Sequence, residues 1–324
     1  MILGLVEHDP GRLDERSLEM LTLGRRLAHR LDVPLHAVLL GPEARPLAAR
    51  LAAYGVSAVH LVEDARLQEY APGAWARSVV GLIEADRPQA VLAAATDRGN
   101  EVMAHVAART GLPMAANCTE VEPGEPYLVT RLRWGGSLLE EARLPGAVKL
   151  LTVAPHAVPA EEAPAAAAVA LHAVTPALTD ADLRVRVTGR IAPTRSAVSL
   201  TDARIVVSGG RGVGSAEGFK ILEELARLLD AAVGCSRVAT SLGWRPHADQ
   251  VGQTGTRIAP ELYIACGVSG AIQHLVGCKG ARRILVINTD PDAPIVAKAD
   301  YAIIGDLHAV IPALTVAIRL AKSG

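Results

Sequence analysis

The stretch Arg204-Ile205-Val206-Val207-Ser208-Gly209-Gly210-Arg211-Gly212-Val213-Gly214 passes from continuous apolar residues straight into a cluster of small ones. The pattern recurs downstream. Leu262-Tyr263-Ile264-Ala265 leads to Gly267-Val268-Ser269-Gly270. Ile284-Leu285-Val286-Ile287 leads to Asn288-Thr289-Asp290-Pro291, and Tyr301-Ala302-Ile303-Ile304 to Gly305-Asp306. A parallel strand buried on both faces reads as an unbroken apolar run. Open parallel sheets take their ligands outside the carboxyl ends of the strands. Small and polar residues gather at those ends here, which predicts a sheet domain holding a large polar ligand that carries a phosphate.

Working outward, the first half alternates strand and helix patterns. Strands are predicted over Ile2 to Val6, Leu35 to Leu40, Ala58 to Val62 and Ala90 to Ala94. Helices are predicted over Asp14 to Leu31, Arg45 to Tyr54, Ala74 to Ala85 and Gly99 to Arg109, the last closed by Gly111 and Pro113. The segment from Tyr127 to Val153 reads as strand-rich, with a turn at Gly135-Gly136. Such alternation specifies a parallel α/β sheet. Its one candidate ligand loop, Ala94-Ala95-Thr96-Asp97-Arg98-Gly99-Asn100, also reads as an ordinary strand-to-helix turn with Asp97 as the cap. Pro155, Pro159, Pro164, Pro176 and Pro193 then punctuate an Ala-rich connector, to which Arg184-Val185-Arg186-Val187 adds an edge strand. The fold class is therefore α/β. Two parallel-sheet α/β domains are expected over residues 1–200 and 201–324, the second of them doubly wound.

The 324 residues are half apolar, enough for two cores, and the net charge of −1 gives no general attraction to nucleic acid or anionic membrane. No apolar run reaches the ~18–20 residues that span a bilayer. The opening Met1-Ile2-Leu3-Gly4-Leu5-Val6 reads as a strand and lacks the basic leader of a secretory signal. Cys118, Cys235, Cys266 and Cys278 form no CxxC pair and are followed by no His at zinc-ligand spacing, so no metal is expected. They read as reduced, buried thiols, and a cytoplasmic location is the matching expectation.

Several constellations in the second half can serve a ligand. The loop Gly209 to Gly214 precedes a helix predicted over Ala216 to Leu229, whose amino end suits a pyrophosphate. A purely structural turn is the other reading, because the spacing is neither G-x-G-x-x-G nor a P-loop. Ser236-Arg237 places a guanidinium beside a strand end, where it can stabilise an anion or stack on a ring. In Gln250-Val251-Gly252-Gln253-Thr254-Gly255, two glycines bracket an amide and a hydroxyl, which fits a loop laid against a flat heteroaromatic ring. Ser269-Gly270-Ala271-Ile272-Gln273-His274 opens a helix with Ser269 as N-cap, and puts Gln273 and His274 near its start. Asn288 and Asp306-Leu307 follow the last two strands, where an Asp either binds ribose hydroxyls or caps the next helix.

Together these segments resemble the alpha subunit of electron-transfer flavoprotein. The resemblance rests on Ser208-Gly-Gly-Arg-Gly, Gly234-Cys-Ser-Arg, Gln250-Val-Gly-Gln-Thr-Gly, Ala259-Pro-Glu-Leu-Tyr-Ile-Ala, Gly267-Val-Ser-Gly-Ala-Ile-Gln-His-Leu, Ile287-Asn-Thr-Asp-Pro-Asp-Ala-Pro-Ile and Ala299-Asp-Tyr. It extends more loosely into the first half through Arg98-Gly-Asn-Glu, Ala107-Ala-Arg-Thr-Gly, Asn117-Cys-Thr and Trp134-Gly-Gly. It implies an extended FAD lined by Arg211, Ser236, Arg237, Val251, Gly252, Gln253, Thr254, Ser269, Gly270, Ala271, Ile272, Gln273, His274, Asn288, Asp306 and Leu307. By the same resemblance Arg237 lies against the isoalloxazine and favours anionic reduced flavin. Thr254 serves N5, and His274 the C2 carbonyl. Ser236, Ser269 and Gln273 serve the pyrophosphate, and Asn288 and Asp306 the adenosine.

The resemblance further implies a heterodimer with an electron-transfer flavoprotein beta subunit that carries AMP or a second FAD. Acyl-CoA or other flavin dehydrogenases would be the donors, as in fatty acid beta-oxidation, and a quinone reductase or ferredoxin the acceptor. The chain is then an electron carrier, and no catalytic residues are expected. The runner-up is an NADH-dependent electron-bifurcating complex. A nicotinamide dehydrogenase lacks its glycine fingerprint here, and the intact Gln253-Thr254 and Gln273-His274 pairs argue against a module that has lost its cofactor. The chain departs from the family pattern at Ser241, where many members carry Asp, at Thr256, where many carry Lys, and at Ala154, where Arg is usual. None of these is among the implied FAD positions.

Overall fold

The computed structural model describes residues 1–9, 11–164, 169–189 and 199–323. The chain divides into two compact units, Met1–Arg190 and Ile191–Gly324.

The first unit is built on one nine-stranded sheet. Strand β1 (Ile2–Leu5) lies inside it and is followed in the chain by a small ribbon, β2 (His8–Asp9) and β3 (Arg12–Leu13). The remaining sheet strands are β4 (Leu35–Leu40), β5 (Ala58–Val62), β6 (Ala90–Ala94), β7 (Met114–Glu122), β8 (Tyr127–Arg133), β9 (Leu138–Leu144), β10 (Lys149–Val153) and β11 (Ala170–Val174). Their order is β11-β5-β4-β1-β6-β10-β7-β8-β9. Alternate side chains feed two cores. Ile2, Ala37 and Leu39 meet the helix α1 (Glu15–Arg30) through Met20, Leu21 and Leu27. Leu3, Leu5 and Val38 meet α2 (Pro72–Asp86) and α3 (Asp97–Thr110) through Trp75, Val79, Val102 and Met103. With both faces covered, every residue of β1, β5, β6 and β10 is buried, which is why these strands read as apolar runs.

Several expectations need correction. The segment expected as a helix over Arg45 to Tyr54 is a run of 3₁₀ turns over Pro42–Tyr54 with Pro46 inside it, because proline has no N–H to donate and its ring crowds the preceding turn. Thr96, not Asp97, caps α3: its hydroxyl accepts from Gly99 N at 2.8 Å. Arg184 to Val187 forms no strand, and the edge strand is β11, paired in parallel with β5. Strand β7 precedes the strand-rich segment expected from Tyr127 and pairs antiparallel with β8, as β8 does with β9, so a three-strand meander extends the otherwise parallel sheet. Pro193 of the connector lies outside the described residues.

The second unit has five parallel strands: β12 (Ile205–Gly209), β13 (Ala232–Cys235), β14 (Leu262–Cys266), β15 (Ile284–Asn288) and β16 (Tyr301–Ile304). Their order, β13-β12-β14-β15-β16, reverses direction between β12 and β14. Val207, Ile264 and Ile287 pack on α4 (Phe219–Leu229) and α7 (Leu307–Ser323). On the opposite face Val206, Tyr263, Ala265 and Val286 meet Val251, Ile258 and Cys278, the last residue of α6 (Ile272–Cys278). The four cysteines are buried free thiols, and burial raises each above its ordinary value, Cys235 and Cys266 to about 12.

Candidate functional site

A cavity of about 770 Å³ opens at the carboxyl ends of the second unit's strands, beside the point where strand order reverses. That is the place an open α/β sheet offers to a ligand, and the size is that of a cofactor site (roughly 300–1,000 Å³). Each strand end contributes. From β12 come Arg211 and Gly212; from β13 and the short helix α5 (Arg237–Ser241) come Ser236, Arg237, Val238, Ser241 and Leu242. The loop before β14 supplies Gln250 through Thr254. The loop after β14 supplies Ser269, Gly270 and Ala271, and the first turn of α6 supplies Gln273 and His274. Asn288 follows β15, and Asp306 and Leu307 follow β16. Fifteen of the sixteen residues singled out in the sequence line this cavity; Ile272 does not, and its side chain is 72% exposed to solvent.

The glycines are used differently from the expectation. In the loop after β12, Gly210 N donates to Cys266 O at 2.9 Å and Gly212 N to Gly267 O at 3.0 Å. A Cβ on Gly210 would collide with the Gly267 carbonyl. The glycines therefore let two loops touch backbone to backbone, and their amides are not left for a phosphate. The following helix starts at Phe219 rather than Ala216, and its first turn does not line the cavity. Of this loop only Arg211 and Gly212 face the site.

The free amides lie instead after β14. The N–H groups of Ser269, Gly270, Ala271, Ile272 and Gln273 have no acceptor among the described residues. Ser269 is not the cap of α6: Ala271 occupies that position without a side-chain bond. The reason is Gly270, whose φ of +82° turns the chain before the helix begins, against Ile295.

Buried polar atoms of the site fall into two groups. Some are committed to the protein. Asn288 Nδ2 donates to Val268 O at 2.9 Å, and its Oδ1 accepts from Asp290 N at 3.1 Å, so this side chain holds two loops together. Asp306 Oδ1 accepts from His308 N at 2.9 Å, which makes it the cap of α7. Others are unspent. Ser236 Oγ and His274 Nδ1 are buried with no hydrogen-bond partner. Such groups cost roughly 1–3 kcal/mol each unless something satisfies them. The guanidinium groups of Arg211 and Arg237 have neither ion-pair nor hydrogen-bond partners among the described residues, and both are exposed at the cavity.

Two residues that the sequence did not single out organise the site. Gln250, 2% exposed, accepts from Thr240 Oγ1 at 2.8 Å and donates through Nε2 to Thr254 Oγ1 at 2.9 Å. Thr254 is thereby oriented with its own proton free. Tyr263, fully buried, bonds His274 Nε2 at 2.6 Å. Burial pushes His274 down to about 4, so its imidazole is neutral at ordinary pH. Gln250 opens the Gln250-Val251-Gly252-Gln253-Thr254-Gly255 run, and its place there is the sequence signal for it. Tyr263 sits mid-strand and reads as core. Among the described residues no group of three or more His, Cys, Asp or Glu could hold a metal.

Comparison with known proteins agrees with this reading of the chain. A family model described as the electron transfer flavoprotein domain matches residues 2–179, and one described as the electron transfer flavoprotein FAD-binding domain matches residues 199–279. Protein FixB of Clostridium saccharobutylicum is 39% identical over 313 residues, spanning 95% of this chain and 93% of that protein. Electron transfer flavoprotein subunit alpha of Megasphaera elsdenii is 36% identical over 324 residues, spanning 98% and 96%. The subunit of that name from Bacillus subtilis is 35% identical over 315 residues, spanning 97% and 96%. No described helix is long and apolar enough to cross a membrane. The chain belongs to the electron-transfer flavoprotein alpha-subunit family.

Proposed function

We infer that this chain binds one FAD extended along the cavity of its second unit. With a beta subunit, it carries electrons from flavin dehydrogenases of the acyl-CoA type to a quinone reductase or another acceptor. The observation that carries the reading is the set of unspent polar groups around one cofactor-sized cavity: Ser236 Oγ, His274 Nδ1, the run of free amides after β14, and two guanidinium groups without partners among the described residues. Five consecutive donors suit a pyrophosphate, and Val238, Leu242, Val251 and Val268 give the same cavity apolar lining for a ring system.

The bound flavin supplies the redox chemistry, and the protein tunes and positions it. Arg237 places a fixed positive charge at the cavity, which favours whichever ligand state is more negative and so raises the reduction potential. Thr254, held by Gln250, would offer a hydroxyl proton to a bound flavin. His274 offers a neutral imidazole from a water-poor wall. Asn288 and Asp306 shape the far end through the loops they hold. None of these groups needs to exchange a proton, which suits electron carriage rather than substrate conversion.

The test is cofactor content. The chain is co-expressed with its beta-like partner, the complex is purified, and released FAD and AMP are quantified. One FAD and one AMP per heterodimer are expected. Two FAD per heterodimer would favour the NADH-dependent bifurcating reading, and a folded complex without flavin would overturn the assignment.

A further inference from the structure

His274 can meet a ligand in two ways. A neutral imidazole carries one proton, on Nδ1 or on Nε2, and the bare nitrogen accepts instead of donating. Which form is present is set by what the other nitrogen bonds.

In this chain the other nitrogen is committed. Nε2 lies 2.6 Å from Tyr263 Oη, and Nδ1 is buried without a hydrogen bond of normal geometry, the backbone of Val251 being the one other protein group that interacts with the ring. The direction of the Tyr263–His274 bond follows from what surrounds the phenol. Tyr263 is fully buried, and burial raises its hydroxyl well above the ordinary value, so it keeps its proton. That proton needs an acceptor. Among the described residues the only hydrogen-bond partner of Tyr263 Oη is His274 Nε2. The nearby Ser208 hydroxyl forms no hydrogen bond of normal geometry. If Nε2 carried the proton, the phenol would accept it and strand its own O–H in the core, at a cost of roughly 1–3 kcal/mol. If Tyr263 donates, both groups are satisfied at once.

We propose that Tyr263 is a positioning residue: by donating to Nε2 it holds His274 as the Nδ1–H tautomer, so the nitrogen left for a ligand at this cavity is a hydrogen-bond donor. What that donor meets rests on the flavin reading above. An Nδ1–H group attracts a ring carbonyl oxygen. The opposite tautomer would present a lone pair there and repel it. Tyr263 therefore acts on the cofactor without touching it, through one side chain and across one hydrogen bond. Its position supports this: it lies in β14, the strand that leads into α6 and His274, with its ring in the apolar core beside Val251 and Cys278.

The experiment is nitrogen-15 NMR of the full-length chain, labelled at histidine and purified in its complex. Long-range couplings to the ring protons distinguish the two tautomers, and His274→Gln identifies the signals by their loss. The expected result is the Nδ1–H pattern for His274 in the unaltered chain, and a shift to the Nε2–H form, wholly or as a mixture, in Tyr263→Phe. An Nε2–H pattern in the unaltered chain would overturn the proposal without need of any variant, so a poorly folding Tyr263→Phe protein leaves it testable. Retention of pure Nδ1–H in Tyr263→Phe would overturn it as well. The flavin reading fails separately: a complex with no flavin still reports the tautomer, because Tyr263 sets it. Where flavin is bound, its removal should move the Nδ1 signal of His274, and an unmoved signal would detach this donor from the cofactor.

Discussion

Tyr263 Oη and His274 Nε2 lie 2.6 Å apart inside the apolar layer beneath the cavity, and burial holds His274 at about 4. This has a consequence for stability. The unfolded chain binds a proton on this histidine below its ordinary value of 6.5, while the folded chain does not until about pH 4. Stability is thus fully present above pH 6.5 and is lost as pH falls towards 4. The loss is expected to be on the order of 2–3 kcal/mol across that window. Denaturant melts of the chain between pH 4 and 7 check it, with His274→Gln as the control whose pH slope flattens.

Glu7 makes the opposite prediction for the first unit. It follows β1, its carboxyl accepts from the Thr96 hydroxyl, and burial raises it from 4.5 to about 7 against the lowering effect of that bond. The folded state binds the extra proton between those values, so its contribution is complete below pH 4.5 and is lost as pH rises through 7. Glu7→Gln should remove this slope and raise stability at pH 8. A first-unit melt as steep in pH as before would refute the role of Glu7.

Arg237 has no carboxylate partner among the described residues, so its charge remains available to the ligand. Replacing it with Ala should lower the flavin midpoint potential. A cation at a partly solvated site contributes on the order of 1 kcal/mol, or ~40 mV for a one-electron couple. Arg237→Lys should recover part of the shift. A redox titration that superimposes on that of the unaltered complex would place Arg237 away from the ring.

Thr254 separates tuning from binding. Thr254→Ala removes the hydroxyl and leaves Gln250 Nε2 without its partner, whereas Thr254→Ser keeps both. The midpoint potential should shift by tens of millivolts in the first and hardly in the second, at about 1 kcal/mol per lost hydrogen bond. FAD should stay bound in both. Loss of all flavin in Thr254→Ala would make Thr254 a binding residue instead.

Much of this architecture was legible in the sequence because its strands are buried on both faces. An apolar run such as Ile284 to Ile287, ended by Asn288, states both the strand and the side of the sheet where polar groups collect. The errors arose where local pattern and three-dimensional setting diverge. The run from Arg45 to Tyr54 has helical composition, but Pro46 inside it leaves it in 3₁₀ turns. Ser269 has cap chemistry, yet the positive φ of Gly270 moves the helix start beyond it. The Gly210 loop looked like a phosphate cradle, and its amides were already taken by Cys266 and Gly267.

By itself the sequence determined that the chain forms parallel α/β sheets, where the strands of the second unit end, and which residues stand at those ends. These follow from hydrophobic periodicity and from Gly, Ser and Asn in short range of each run. Only the tertiary structure decided how those residues are held. Glu7 meets Thr96 across 89 residues, Asn288 reaches Val268, and Gln250 joins Thr240 to Thr254. Such partners are chosen by which strands lie side by side and by which buried atoms find no water, and neither is written in local pattern. Tyr263 is the clearest case: a tyrosine in a buried strand is core by composition, and it becomes a partner of the site only because His274 folds back over it.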